Sequence, residues 1–480
     1  MSKSELRKKK HLTRHKKQLF CGYDSLDDHD ITTLINVSYK LINGSKNTNE
    51  LYKITFILCS LLTGRSLNSL INKDNKIIYP GEDTKFKGAA LFSVNRPTMK
   101  QKSLSKIQGF AKLSNSPALI LIPKPLSKIL ANFKKSKSNL EEKDYKKLIN
   151  SFLKSINKQY KTRLTLARTR SNFHQWCIKK SVSEVVYAAI SGQPISYHAG
   201  IYYTRLNNEI LLKTIENYWD DIFKNQLQYK PTLPALVSTE YWGSNRVIDQ
   251  HFVSMLFAFI QRNIKYHKNN LDYISLHNYF TTYTISILQL STGLRPKVGF
   301  FEDINRFNLD DKTVIICDKG EKSRRLIKLS KSAHTQLIEY IKFIKILTKR
   351  TYYQDRNVSE ELTKKIDGTS NLLSLIERDN ASKKRYKISS NTLRVFKDFT
   401  QGRFPFPTNW HRHYLRSEFE KAEFNSELVD LFFDHNSNLD HKSSIFSSIK
   451  TNDLDKLADF IENKIFQSLD IKTLKSPLRE

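Results

Sequence analysis

Glycine and proline are scarce in this chain, at 14 and 12 of 480 positions. With Leu, Ile, Lys and Asn abundant, that scarcity predicts a helix-rich protein. Cysteine is nearly absent. Cys21, Cys59, Cys177 and Cys317 lie far apart and form no CxxC pair, so neither a structural zinc site nor a disulfide scaffold is expected. A reducing compartment fits. No long apolar run is present, since the longest, around residues 54–62, is far short of a membrane span. The opening MSKSELRKKKHLTRHKKQLF lacks the apolar centre of a secretory signal. A soluble cytoplasmic protein is expected, nucleoid-associated in a bacterium or nuclear in a eukaryote. Acidic residues are also few, 47 against 80 Lys and Arg, for a net charge of +33. The excess is spread along the chain and points to a polyanion, nucleic acid before an anionic membrane. Hydrophobic residues at 39% suffice for real cores, which excludes wholesale disorder. The length suggests roughly three domains, or two larger ones.

Residues 1–19 form a basic arm suited to lying along phosphates, or simply a solvated tail. It carries Lys8, Lys9, Lys10, Arg14, Lys16 and Lys17 among others. From about Asp30 the pattern turns helical, with 133–147 as a charged connection or helix and 151–228 helical again. Residues 229–244, YKPTLPALVSTEYWGS, read as a linker because two prolines and a glycine interrupt them. A second helical block covers 247–290. The period then changes. TVIIC at 313–317 and RLIKL at 325–329 read as the strands of a β-hairpin around the turn at 318–322. Helices resume near Lys331, residues 353–390 read as loop-rich, and the remainder is helical apart from 436–448. The expected class is mainly α with a small antiparallel hairpin or sheet (α+β). The expected domains are a helical, nucleic-acid-binding one at 20–228 and a second at 245–480.

Three features of the C-terminal half belong together. The apolar helix ISILQL ends in Ser291-Thr-Gly-Leu-Arg295. The hairpin turn carries Lys319. The run Trp410-His-Arg-His413-Tyr-Leu-Arg416 is followed by His435 in LFFDHNS. In this order they resemble the catalytic domain of the tyrosine recombinases, the phage integrase family. That family is built on an Arg in a TGxR box, a hairpin Lys, an HxxR pair, a later His or Trp, and a nucleophilic Tyr. The intervals fit: 319 − 295 is 24 and 416 to 435 is 19. Val298 stands where the family often has Glu, with Glu302 or Asp303 as replacements.

The resemblance implies a site-specific integrase that cuts and rejoins DNA through a 3′-phosphotyrosine. Its partners would be duplex attachment or element-end DNA and copies of itself, as a dimer or tetramer. Neither metal nor nucleotide is implied, because the phosphotyrosine conserves the bond energy. Arg295 and Arg416 would clamp the non-bridging oxygens of the pentavalent phosphate. His413 would be the base and His435 a phosphate donor. Lys319, or else Lys322, would protonate the leaving 5′-oxygen. Lys322 and Arg324 would otherwise contact DNA, and His411 and Arg412 read as neighbouring phosphate or surface contacts. The rival readings are a non-catalytic DNA-binding or architectural protein on the same scaffold, and a nick-religate topoisomerase.

The nucleophile is missing. Residues 415–480 contain no Tyr, and Phe446, 11 positions after His435, is the only aromatic in the expected window. Either a Tyr→Phe change traps an uncleaved complex, or a natural protein has lost cleavage. The N-terminal half carries a faint echo of the same pattern. Thr63-Gly-Arg65 resembles the first box, Ala167-x-x-Arg170 resembles HxxR, and Gln193 stands at the second His position. Tyr202 and Tyr203 follow at the nucleophile's offset. Residues 20–210 are then either a degenerate catalytic-like domain or an enlarged core-binding domain.

The charge excess carries its own test. Duplex affinity should fall steeply with salt as Lys and Arg displace counterions. A nearly flat plot of log K against log[salt] would sink a phosphate-tracking role. Deleting residues 1–19 should weaken binding without changing the preferred site.

Overall fold

The computed structural model describes residues 25–71, 76–78, 89–94, 109–111, 118–135, 141–193, 199–231, 241–295, 303–317, 324–378, 386–389, 402–407, 409–435 and 451–479. The basic arm, the turn bearing Lys319 and Lys322, and Phe446 lie outside these residues. The chain divides into two compact units at Gly243–Ser244. Each has its own hydrophobic core.

The N-terminal unit opens with α1 (Asp28–Gly44), α2 (Thr48–Thr63) and the short α3 (Leu67–Ile71). Caps set the starts. Asp27 accepts from the Asp30 amide, and Asn47 accepts from those of Asn49 and Glu50. A three-stranded antiparallel sheet follows: β1 (Lys76–Ile78), β2 (Ala89–Val94) and β3 (Ala118–Pro123), in sequence order. The chain then runs through α4 (Lys124–Lys135), α5 (Glu142–Tyr160), α6 (Leu166–Lys179), α7 (Glu184–Ser191) and α8 (Ala199–Tyr203). β4 (Arg205–Asn207) leads into α9 (Asn208–Ile222) and pairs with β5 (Tyr241–Gly243). α2 is the core helix, buried from Ile54 to Thr63. α9 is tied to its last turn. The Tyr218 hydroxyl donates to the Leu61 carbonyl at 2.8 Å, and the Trp219 indole to that of Leu62 at 3.3 Å.

The C-terminal unit includes residues 109–111, which the sequence reading assigned to the N-terminal domain. Ala111 bridges Ile248, and the Asp249 amide donates to the Phe110 carbonyl at 2.8 Å. Its helices α10 (Gln250–Asn269) and α11 (Tyr273–Thr292) precede β6 (Phe307–Asn308), β7 (Thr313–Cys317) and β8 (Arg324–Lys328). These strands form an antiparallel sheet in sequence order, with Cys317 opposite Arg324. α12 (Lys331–Thr351), α13 (Arg356–Ile366), the β9–β10 hairpin (Leu375–Arg378, Tyr386–Ser389), α14 (Trp410–Lys421), α15 (Ser426–Phe433) and α16 (Thr451–Phe460) complete it. A π-helical turn at Ile461–Phe466 continues α16.

α11 is buried along almost its whole length despite six Ser and Thr residues after Leu276. Four of the six hydroxyls are satisfied within the helix. Thr282, Thr284, Ser286 and Thr292 each donate to the carbonyl four residues back. The helix therefore needs no solvent-facing stripe.

Two expectations are corrected. The N-terminal unit is not purely helical, because ALILIP forms β3. The stretch 353–390 is not loop-rich, because it supplies α13 and the β9–β10 hairpin. The mainly α, small antiparallel sheet class holds. Among the described residues no helix is long and apolar enough to cross a membrane.

Asn278 of α11 clips β9 in place. Its amide donates to the Ile376 carbonyl at 2.7 Å and accepts from the Ile376 amide at 2.9 Å. Asn278→Ala strands both backbone groups and should cost about 2 kcal/mol. Urea denaturation with an unchanged midpoint would show that β9 finds other partners.

Candidate active site

The site grows from the C-terminal end of α11. A helix end leaves carbonyls without intrahelical partners and carries partial negative charge. Gly293 caps it in the left-handed region at φ 57°, with no room for a larger residue. A Cβ there would lie 2.8 Å from Phe433 and 2.9 Å from Phe432. Guanidiniums from two other elements occupy the exposed carbonyls. Arg325 of β8 donates to the carbonyls of Thr292 at 3.0 Å and Gly293 at 3.4 Å, and to that of Phe432. Arg412 of α14 donates to Gly293 and, at 2.7 Å, to Phe433. His411 donates to the Leu294 carbonyl at 2.6 Å. The ends of α11 and α15 are thus joined through positive side chains, and Arg295 follows directly.

The second layer is centred on His435, just past the end of α15. Its Nε2 lies 3.0 Å from an Arg412 amino group and its Nδ1 lies 2.7 Å from one of Arg416. Burial, and then the charges of Arg416, Arg412, Arg295 and Arg325, hold its pKa well below the usual histidine value. The ring is therefore neutral. Both ring nitrogens face guanidiniums. An anionic oxygen drawn among them would accept from the ring and from the guanidiniums together. The Phe433 ring supports the cluster, stacked on His435 with centroids 5.4 Å apart and lying under Arg412 and Arg416.

Arg416 is held from behind. It pairs with Asp430 at 2.7 Å, and Glu420 lies close by in the same buried region. Burial raises the Glu420 carboxyl to about 7, against the lowering effect of Arg416 and with a further rise from Asp430. Among the described residues, Glu420 Oε1 has no hydrogen-bond partner.

The structure brings Arg295, Arg416 and His435 into one electrostatic cluster. His413 is fully buried on the same helix as Arg416, with Nδ1 sharing a 2.7 Å hydrogen bond with the Ser244 hydroxyl. Arg324 is exposed at the start of β8. Lys319, Lys322, Phe446 and the arm lysines lie outside the described residues. Arg412 requires correction. It is not a surface residue but a fully buried cross-brace, and His411 is buried beside it. Arg325 was overlooked altogether. Its signal was the alternation of RRLIK, which sets Arg325 on the inward face with Ile327. Among the described residues, no His, Cys, Asp and Glu group is arranged to hold a metal ion. Comparison with protein-family models, curated proteins and solved structures finds no match to this chain.

The raised Glu420 carboxyl fixes the sign of a pH effect. Between about 4.5 and 7 the folded protein keeps a proton that the unfolded chain releases, so stability falls as pH rises through that window. Glu420→Gln carries no such proton and should flatten the decline by on the order of 1–3 kcal/mol. Parallel pH profiles of the urea midpoint for the two proteins would refute the assignment.

Proposed function

We propose that the chain is a DNA strand-exchange protein of the tyrosine-recombinase kind, with its phosphate pocket intact and its nucleophile position occupied by Phe446. The observation that carries this reading is His435 held between Arg412 and Arg416, a buried cluster of positive side chains. A phosphodiester offers such a cluster two anionic oxygens. The net charge of +33 supports duplex DNA as its source.

In this mechanism Arg295 and Arg416 hold the non-bridging oxygens, and His435 donates its N–H to the same phosphate. Extra negative charge develops there in the pentavalent state, where preorganised donors act most strongly. A tyrosine oxygen at position 446 attacks phosphorus, and the bond to the 5′-oxygen breaks. His413 takes the phenolic proton. Its Nδ1 is engaged by Ser244, so that role falls to Nε2. Lys319 protonates the departing 5′-oxygen, and reversal of the steps with a new strand completes the exchange. Arg325 holds the frame, and Arg412 braces His435 opposite Arg416.

Phe446 favours a second reading. A ring with no oxygen cannot attack, and a chain that carries it naturally is a DNA-binding or architectural protein on this scaffold.

One substitution separates the two. Phe446→Tyr should create a covalent protein–DNA 3′-phosphate adduct, seen as a slow band on a denaturing gel, on duplexes spanning the DNA that flanks the encoding gene. Adding Arg295→Ala should remove the band while leaving most duplex binding. Persistence of the adduct in the double variant would overturn the role of Arg295. No adduct on any flanking duplex would leave the architectural reading.

A further inference from the structure

The two units share an order of elements. In each, two long helices precede a three-stranded antiparallel sheet joined in sequence order, and four helices follow. These are α1–α2, β1–β3 and α4–α7 in one, and α10–α11, β6–β8 and α12–α15 in the other. The C-terminal unit adds the β9–β10 hairpin, and the N-terminal unit adds α3.

The finer details coincide as well. α2 ends in Thr63-Gly64 and α11 in Thr292-Gly293. Both threonines donate to the carbonyl four residues back, at 2.6 and 2.7 Å. Both glycines are left-handed caps, at φ 66° and 57°. Each glycine carbonyl accepts from an arginine on the helix preceding the one that ends in a later left-handed cap, Gly192 or Asp434. Arg170 Nε reaches Gly64 at 3.3 Å, and Arg412 reaches Gly293. From that arginine onward one offset holds, 412 − 170 = 242. It maps the N-cap Ser183 to Asn425, Glu184–Ser191 to Ser426–Phe433, and left-handed Gly192 to left-handed Asp434. The Gln193 amide bonds the Ala188 carbonyl and the His435 amide bonds that of Asp430, both at 3.0 Å. Arg170 therefore corresponds to Arg412 rather than to Arg416, as the HxxR spacing had suggested. His174 takes the place of Arg416 and Gln193 that of His435.

We propose that the N-terminal unit is a duplicate of the C-terminal one whose pocket grips a DNA backbone phosphodiester without cleaving it. The ligand class rests on the recombinase reading above, whereas the duplication rests on the geometry alone. The Arg65 guanidinium is buried against Gly192, where a Cβ would lie 2.7 Å from its Nη1, and it donates to the Ala189 carbonyl at 3.3 Å. Burial pushes Arg65 down to about 9, so a nearby anion is favoured. Arg170 lies close enough to act electrostatically on the Tyr187 hydroxyl, six residues before Gln193. Gln193 carries an uncharged amide at the position that His435 holds in the other unit. Replacing the Arg416 fork by His174 removes a bidentate donor for the pentavalent phosphate, so ground-state binding remains and transition-state stabilisation is lost.

The test uses the full-length chain and a fluorescent mixed-sequence duplex, with thermal melting as the folding control. Gln193→Glu should weaken binding about tenfold at low salt, as a carboxylate meets the phosphate. Arg170→Gln keeps a donor for the Gly64 carbonyl but removes the charge, and should make the salt slope shallower by about 0.9, one phosphate contact. In the Phe446→Tyr background, neither change should abolish the adduct at saturating protein. If folded Gln193→Glu and Arg170→Gln bind with unchanged affinity and slope, the second grip is overturned, whether or not the adduct forms. If both weaken binding but Phe446→Tyr gives no adduct, the N-terminal grip stands and the recombinase reading falls.

Discussion

The C-terminal unit depends on a few backbone carbonyls at the end of α11. Helix C-termini are poor places to bury, because their oxygens need donors that the helix cannot supply. Here the donors are guanidiniums, one from the sheet and one from α14. The same bonds that satisfy Thr292, Gly293 and Phe433 also draw positive charge into the interior. A buried arginine is costly without compensation. The partial negative charge of two converging helix ends, the Phe433 ring and the Asp430 carboxylate supply part of it.

Gly293 is the geometric condition for this arrangement. Its left-handed conformation ends α11 and lets the Phe432 and Phe433 rings approach closer than any Cβ would permit. That approach brings the end of α15, and with it His435, against the two arginines of α14. Sequence box, helix cap and charged cluster are therefore one feature seen at three scales.

Much of this was legible in the sequence because the local rules agreed. The glycine after an apolar helix, the β-branched hairpin and the run of His and Arg each carry a distinct pattern. What was misread lay where tertiary burial overrides local character. WHRHYLR looks half-exposed by composition, yet α14 is buried at every position from Trp410 to Ser417, so no amphipathic stripe marks its inner face. ALILIP is too short an apolar run for periodicity to tell strand from helix. VSEELTKKI hides its helix because Lys365 fills a core position, donating to the Ser374 carbonyl at 2.9 Å. The N-terminal counterpart was partly visible. Its correct alignment needed the carbonyl that Arg170 reaches, which no spacing rule encodes.

The burial of α14 on all sides has a dynamic consequence. Binding residues usually sit on loops whose local opening costs little. Here the guanidiniums of Arg412 and Arg416 lie on a helix that is itself part of the hydrophobic core. Separating them from His435 means dismantling the packing of the whole unit. Amide exchange along α14 should then proceed only through global unfolding, which makes the charged cluster one of the stiffest parts of the molecule. Any movement that opens the cluster to a ligand must arise in segments that the core does not hold.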